Sequence, residues 1–257
     1  MSKKATKSIA RHLKVHRVLQ KQRTILSSSS RRIIRHFDNR ILEPFRWQLD
    51  RSFDYLYGTD TSGIIQLTDL EIDSPNVTHG VFYEPTPLPY LRSAIRLLDA
   101  DLSSFQFVDF GSGKGRILLQ ASRYPFSKLI GIEFSKELCD VAQRNVQIFT
   151  NGNPLNIEIH HMDAVNFMFP STNLVLFFFH PFEECIFSGI LRNLSSSAAQ
   201  RDNRVFLIYV NAVHDHSIQE CGLFPLRMRV KKPVVFSRKK DWIKNFMVYS
   251  NRCSQLD

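Results

Sequence analysis

Phe105 to Ser122 reads FQFVDFGSGKGRILLQAS, and this stretch decides the fold. Phe105, Phe107 and Val108 lead into Asp109 with strand-like content. A Gly-Ser-Gly-Lys-Gly turn follows, and Ile117, Leu118, Leu119 and Ala121 then open a helix. Strand, glycine turn and helix in that order place a nucleotide-type ligand at the carboxyl end of a parallel strand. Glycines there allow left-handed torsions and remove the Cβ that would keep a ligand away from the backbone.

Working outward, the same alternation repeats. Lys128 to Phe134 reads as a second strand ending on Glu133, and a helix starts after Ser135 as N-cap, with Leu138, Ala142, Val146 and Phe149 on one face. Leu155 to His160 is a third strand, Asn173 to Phe179 a fourth, Glu183 to Leu194 a helix, and Val205 to Val210 a fifth strand. Arg227 to Val235 and Asn245 to Tyr249 pair as a closing antiparallel ribbon. Upstream, Tyr90 to Leu102 shows helical spacing. The expected fold is α/β: a doubly wound, Rossmann-like sheet, mostly parallel with an antiparallel C-terminal strand, plus a basic helical N-terminal arm. The division by composition is a basic arm over 1–46, an aromatic-rich cap over 47–80, and the main domain over 81–257.

The 257 residues, 43% hydrophobic, suffice for one large core. Charge is uneven. Residues 1–46 carry 13 Lys/Arg against Asp38 and Glu43, a net +11, whereas 47–257 carry a net −1. The arm therefore suits nucleic acid or an anionic surface, or is a solvated tail. Its lack of acids before Asp38 also fits a mitochondrial transit segment in a eukaryote; otherwise the expected compartment is the cytoplasm. No apolar run is long enough for a transmembrane segment. Four scattered cysteines argue against a disulfide frame, and neither His160-His161 nor His214-Asp215-His216 has zinc spacing, so no metal is expected. Asn76-Val77-Thr78 matches a glycosylation acceptor and reads as idle. Tyr57 to Gly63 reads as a loop that flaps over the ligand.

The ligand can be narrowed. A P-loop needs Ser or Thr after its lysine, but Gly115 follows Lys114. A dinucleotide fingerprint places its third glycine one residue later, and this alternative stays open on spacing alone. Glu133, eighteen residues beyond Gly115, supplies a carboxylate for ribose hydroxyls.

Asp109 to Gly115, Glu133 and His161-Met162-Asp163-Ala164 together resemble the three motifs of class I, seven-stranded S-adenosylmethionine-dependent methyltransferases. VDFGSGKGR, with Tyr83-x-Pro-Thr-Pro upstream and Ile-Gly-Ile-Glu-Phe-Ser downstream, is similar to a subgroup of bacterial methyltransferases. That subgroup in turn resembles seven-stranded protein-lysine methyltransferases. The resemblance spans about residues 80–250. It implies S-adenosyl-L-methionine as cofactor, held by Asp109, Gly111, Ser112, Gly113, Gly115, Glu133, Asp163, Ala164 and Thr86. It also assigns methyl transfer to the end of the fourth strand, Phe178-Phe179-His180-Pro181-Phe182, where many amino-methylating members have Asn or Asp before the proline. His180 departs from that pattern. His180, Tyr83 and Phe182 are the expected catalytic residues, and Glu84, Glu183 and Glu184 the nearby acids. The implied partner is a methyl acceptor, either a protein side chain such as lysine or a small molecule. The alternatives are an RNA methyltransferase or binding protein using the arm, and a cofactor-binding protein without catalysis.

Overall fold

A computed structural model describes residues 51–150, 155–198, 202–230 and 245–252. The basic arm, the Asn151–Pro154 helix stop and the Lys231–Val235 end of the expected ribbon lie outside these residues.

Seven strands form one sheet: β1 (Phe105–Phe110), β2 (Lys128–Glu133), β3 (Ile157–His161), β4 (Asn173–Phe178), β5 (Val205–Val210), β6 (Leu226–Arg229) and β7 (Phe246–Ser250). Their spatial order is β3-β2-β1-β4-β5-β7-β6. The first five are parallel, and β7 runs antiparallel to both of its neighbours. The chain leaves β1 toward β3 and then returns to β4 on the other side of β1. That reversal opens a crevice beyond the carboxyl ends of β1 and β4, where open α/β sheets take their ligands.

Alternation along β1 divides the core. Val108 and Phe110 join one apolar layer with Leu176, Phe178, Phe187 and Ile190. Phe105 and Phe107 join the opposite layer with Leu91, Leu118, Phe177 and Ile208. β4 and β5 are buried throughout except at Asn173, as strands covered on both faces must be.

Among the described residues, residues 51–57 are helical, and the sheet is flanked by α1 (Pro89–Ile95), α2 (Arg116–Ala121), α3 (Lys136–Phe149), α4 (Glu184–Ala198) and α5 (Asp215–Glu220). Ser135 caps α3 as its sequence suggests, accepting from the Leu138 N–H. α1 is shorter than its apolar spacing predicts. Asp101 accepts from Ser103 N and starts a separate 3-10 turn over Leu102–Ser104, a local bond that competes with continued helix. The cap packs on α3 through aromatic rings, with Phe53 and Tyr57 both against Phe149. Among the described residues, no helix is long and apolar enough to cross a membrane.

Candidate functional site

A cleft of about 460 Å³ lies at the crevice. The glycine turn forms its floor. Gly111 N and Ser112 N both donate to Ile132 O, at 2.9 and 3.1 Å, so the turn is tied to the end of β2. Gly113 N donates to Glu133 Oε2 at 2.8 Å, and Ser135 N donates to Glu133 Oε1 at 3.0 Å. Glu133 is thus aimed by two backbone donors, and each oxygen keeps capacity for another.

Two glycines are required by close approach as well as by torsion. Gly111 has φ +71°, and a Cβ there would come within 2.4 Å of Pro181 Cβ; Gly113 has φ +52°, and its Cβ would fall 2.2 Å from the Tyr83 ring. The turn is therefore clamped between the loop after β4 and the segment carrying Tyr83. Gly115, at α2, faces Ala142 of α3.

Asp109 and Glu133 are only 3% and 4% exposed, yet both line the cleft. Burial, reinforced by the Glu133 charge, pushes the Asp109 carboxyl well above its usual range. Burial also raises Glu133, against the opposing pull of the Ser135 and Gly113 N–H groups. The turn's cations serve other acids: Lys114 Nζ bonds Asp60 Oδ1 at 2.9 Å, and Arg116 Nη2 lies 3.6 Å from Asp54 Oδ2. Asp54 also accepts from Thr59, Thr61 and Ser62. Burial works against its charge, but those hydrogen bonds prevail and hold its carboxyl below the usual range.

This corrects one expectation. Tyr57 to Gly63 is not a flap on the cleft, because Asp54 draws Thr59, Thr61 and Ser62 back onto their own helical segment. The strap across the cleft is Ser74 to Thr86. Ser74 Oγ and Asn76 Nδ2 each donate to Asp163 Oδ2 at 2.8 Å. Val81 N donates to Pro181 O at 3.1 Å, and Glu183 N to His79 O at 2.8 Å.

At the β4 end, His180 has φ +43°, a left-handed conformation uncommon outside glycine and typical of constrained sites. Burial, then the neighbouring His214, lowers its imidazole to about 4, so it is neutral at physiological pH. Tyr209 Oη lies 3.4 Å from its Nδ1, and the His214 ring 5.2 Å away. Phe179 and Phe182 complete an apolar wall. Tyr83 lines the cleft, but its ring lies against Gly113 and its hydroxyl donates to Thr61 O at 2.7 Å.

The cleft thus gathers Asp109, Gly111, Ser112, Glu133, Asp163, Ala164, Thr86, Tyr83, His180 and Phe182. Gly113 and Gly115 lie behind the turn, off its wall. Glu84 lines it too, but Glu183 pairs with His79 and Glu184 with His216. His79, Glu183 and Cys185 hold their ligand-type atoms within 4.8 Å of one another. Sequence spacing does not anticipate that grouping, which is half-exposed and already joined as a histidine–carboxylate contact. Sequence reasoning also misses Ser74, Asn76 and Asp54. The Ser-Pro-Asn turn signal is present, but nothing local points it at Asp163.

Residues 107–197 match a family model described as a methyltransferase domain. Over these residues the chain carries an S-adenosylmethionine-dependent methyltransferase domain. No curated protein matches the sequence. Similar solved structures include a ribosomal protein L11 methylase from Lactobacillus delbrueckii subsp. bulgaricus, with 14% identity over 63% of this chain and 74% of that one, TM-score 0.42. A magnesium protoporphyrin IX methyltransferase from Synechocystis PCC 6803 with bound S-adenosylmethionine shares 14% identity over 62% and 75%, TM-score 0.44. A putative RNA methyltransferase from Pyrococcus horikoshii shares 17% over 72% and 91%, TM-score 0.42.

The methyltransferase's cofactor is a cation at sulfur with an ammonium at its methionine end, and the cleft suits such a ligand. It pairs two buried carboxylates with a turn free of Cβ atoms at Gly111. The buried Ser112 Oγ, also on the cleft wall, has no hydrogen-bond partner among the described residues.

Proposed function

We propose that this methyltransferase methylates an amine, with a protein lysine as the first candidate, at the end of the cleft formed by Phe179, His180 and Phe182. The observation that carries the reading is the contrast in charge along the cleft. Asp109 and Glu133 place two buried carboxyl groups at one end. At the other end, the neutral His180 stands among aromatic rings.

Glu133 is suited to accept from the ribose hydroxyls. Asp109 and Ser112 are suited to the charged methionine end, with Tyr83 and Thr86 above it, and Asp163 with Ala164 to the base. The cofactor supplies an activated methyl group on a sulfonium. What the protein adds is position and desolvation. Apolar walls disfavour an ammonium and so favour the neutral amine that can attack. His180, with a pKa of about 4, is too weak a base to hold the proton of an ammonium. It instead accepts a hydrogen bond from the amine N–H and turns the nitrogen lone pair toward the methyl.

The 13 basic residues within 1–46 favour RNA as the second reading of the acceptor. Transfer of radiolabelled methyl groups from cofactor into a cell lysate, with the label sorted by class, separates the two. Label in protein, recovered as methyl-lysine after hydrolysis, supports the first reading. Label in nucleic acid overturns it in favour of the second.

A further inference from the structure

Asp163 is suited, with Ala164, to the base of the cofactor, but its hydrogen-bonding capacity is already heavily used. Oδ2 accepts from both Ser74 Oγ and Asn76 Nδ2 at 2.8 Å, and Oδ1 accepts from Val165 N at 3.1 Å. A carboxylate oxygen has about two acceptor sites, so Oδ2 is full. Asn76 sits on the cleft wall with Asp163, Ala164 and Met162. Its Nδ2 is committed to the carboxylate, which fixes the amide orientation and leaves Oδ1 as an acceptor with no hydrogen-bond partner among the described residues. A primary amide so presented matches adenine: its oxygen accepts from the amino group while its second N–H reaches a ring nitrogen.

We propose that Asn76 reads the adenine amino group of the cofactor, with Asp163 acting chiefly to orient the Asn76 amide. The inference rests on the assignment of the Asp163 end of the cleft to the base. It has a consequence for the opposite end. Four residues after Asn76, Gly80 bridges to Phe182, and Val81 N donates to Pro181 O. One strap therefore joins the base to the wall where the acceptor sits, so that base recognition also secures that wall.

Calorimetry on the full chain tests this with S-adenosylhomocysteine and S-inosylhomocysteine, which differ at the amino group. Wild type should prefer the adenine ligand by about 10-fold or more. Asn76→Ala should bind that ligand about 10-fold more weakly and lose most of the preference. Ser74→Ala removes the other donor to Asp163 Oδ2 but keeps the Asn76 carbonyl, and should retain the preference. Full discrimination in Asn76→Ala would overturn the inference alone. Absence of binding to wild type would overturn the assignment of the cleft and the inference with it.

Discussion

The two ends of the cleft are built in opposite ways. The glycine-turn end is local: Asp109, Gly111, Ser112 and Glu133 come from two adjacent strands, and backbone N–H groups aim the carboxylate. It buries acidic groups at a cost that the Gly113 and Ser135 N–H groups offset in part at Glu133. The β4 end is assembled from distant parts of the chain, with the strap of residues 74–86 seated on Pro181 and Phe182, and it sets aromatic rings beside the neutral His180. Under the proposed function, one end receives a ligand that is already charged, and the other excludes water around an amine that must be uncharged to attack.

Substitutions can break this contrast in graded fashion. Gly113→Ala should have the largest effect, because it forces a Cβ into the Tyr83 ring at positive φ. A loss of about 2–4 kcal/mol is expected in urea unfolding, with cofactor binding lost as the strap shifts. Asp109→Asn should weaken S-adenosylmethionine binding about 100-fold in calorimetry, or ~2.8 kcal/mol. The same variant should unfold at a higher temperature than wild type without ligand at pH 8, since it removes a buried charge. His180→Ala should lower kcat about 10-fold with cofactor affinity unchanged, as expected for loss of one orienting hydrogen bond. A loss near 10⁴-fold would instead mark His180 as a proton acceptor. Tyr83→Phe should have the smallest effect, about 1 kcal/mol of stability from the lost bond to Thr61 O, with little change in turnover.

The pH dependence follows from the acidic end. The folded-state pKa values of Asp109 and Glu133 lie above their unfolded values. Their contribution to stability is present below the ordinary carboxyl range near 4 and is lost as pH rises through the raised values. Stabilisation by the cationic cofactor should therefore grow with pH over that interval, as the midpoint shift in thermal unfolding will report.

The succession of strands and helices and the turn's ligand class were legible because their signals are local, whereas the spatial order of the strands was not. Glu133 follows Gly115 by one helix and one strand, and the Ser135 cap and the buried run of β4 can be read from neighbours in sequence. The strap was only half legible. Its prolines and Tyr83 stand out, but the bonds from Ser74 and Asn76 to Asp163 cross almost ninety positions, and a Ser-Pro-Asn turn looks the same whether it is idle or part of a wall. Asp54 reversed the reading of Tyr57 to Gly63 for a similar reason: one carboxylate collects the loop's donors, and composition does not reveal where a loop folds back. His180 was visible as a departure from the family pattern. Its neutrality depends on burial and on His214, 34 positions away.

Under the proposed function, the Asp109–Glu133 end holds the cofactor as a cation. Calorimetric titration with S-adenosylmethionine from pH 5 to pH 8, in paired buffers of different ionisation enthalpy, tests it most directly. Affinity should rise with pH, protons should be released on binding at the acidic end of the range, and Asp109→Asn should lose both effects. Wild-type affinity independent of pH, with no proton release, would contradict it.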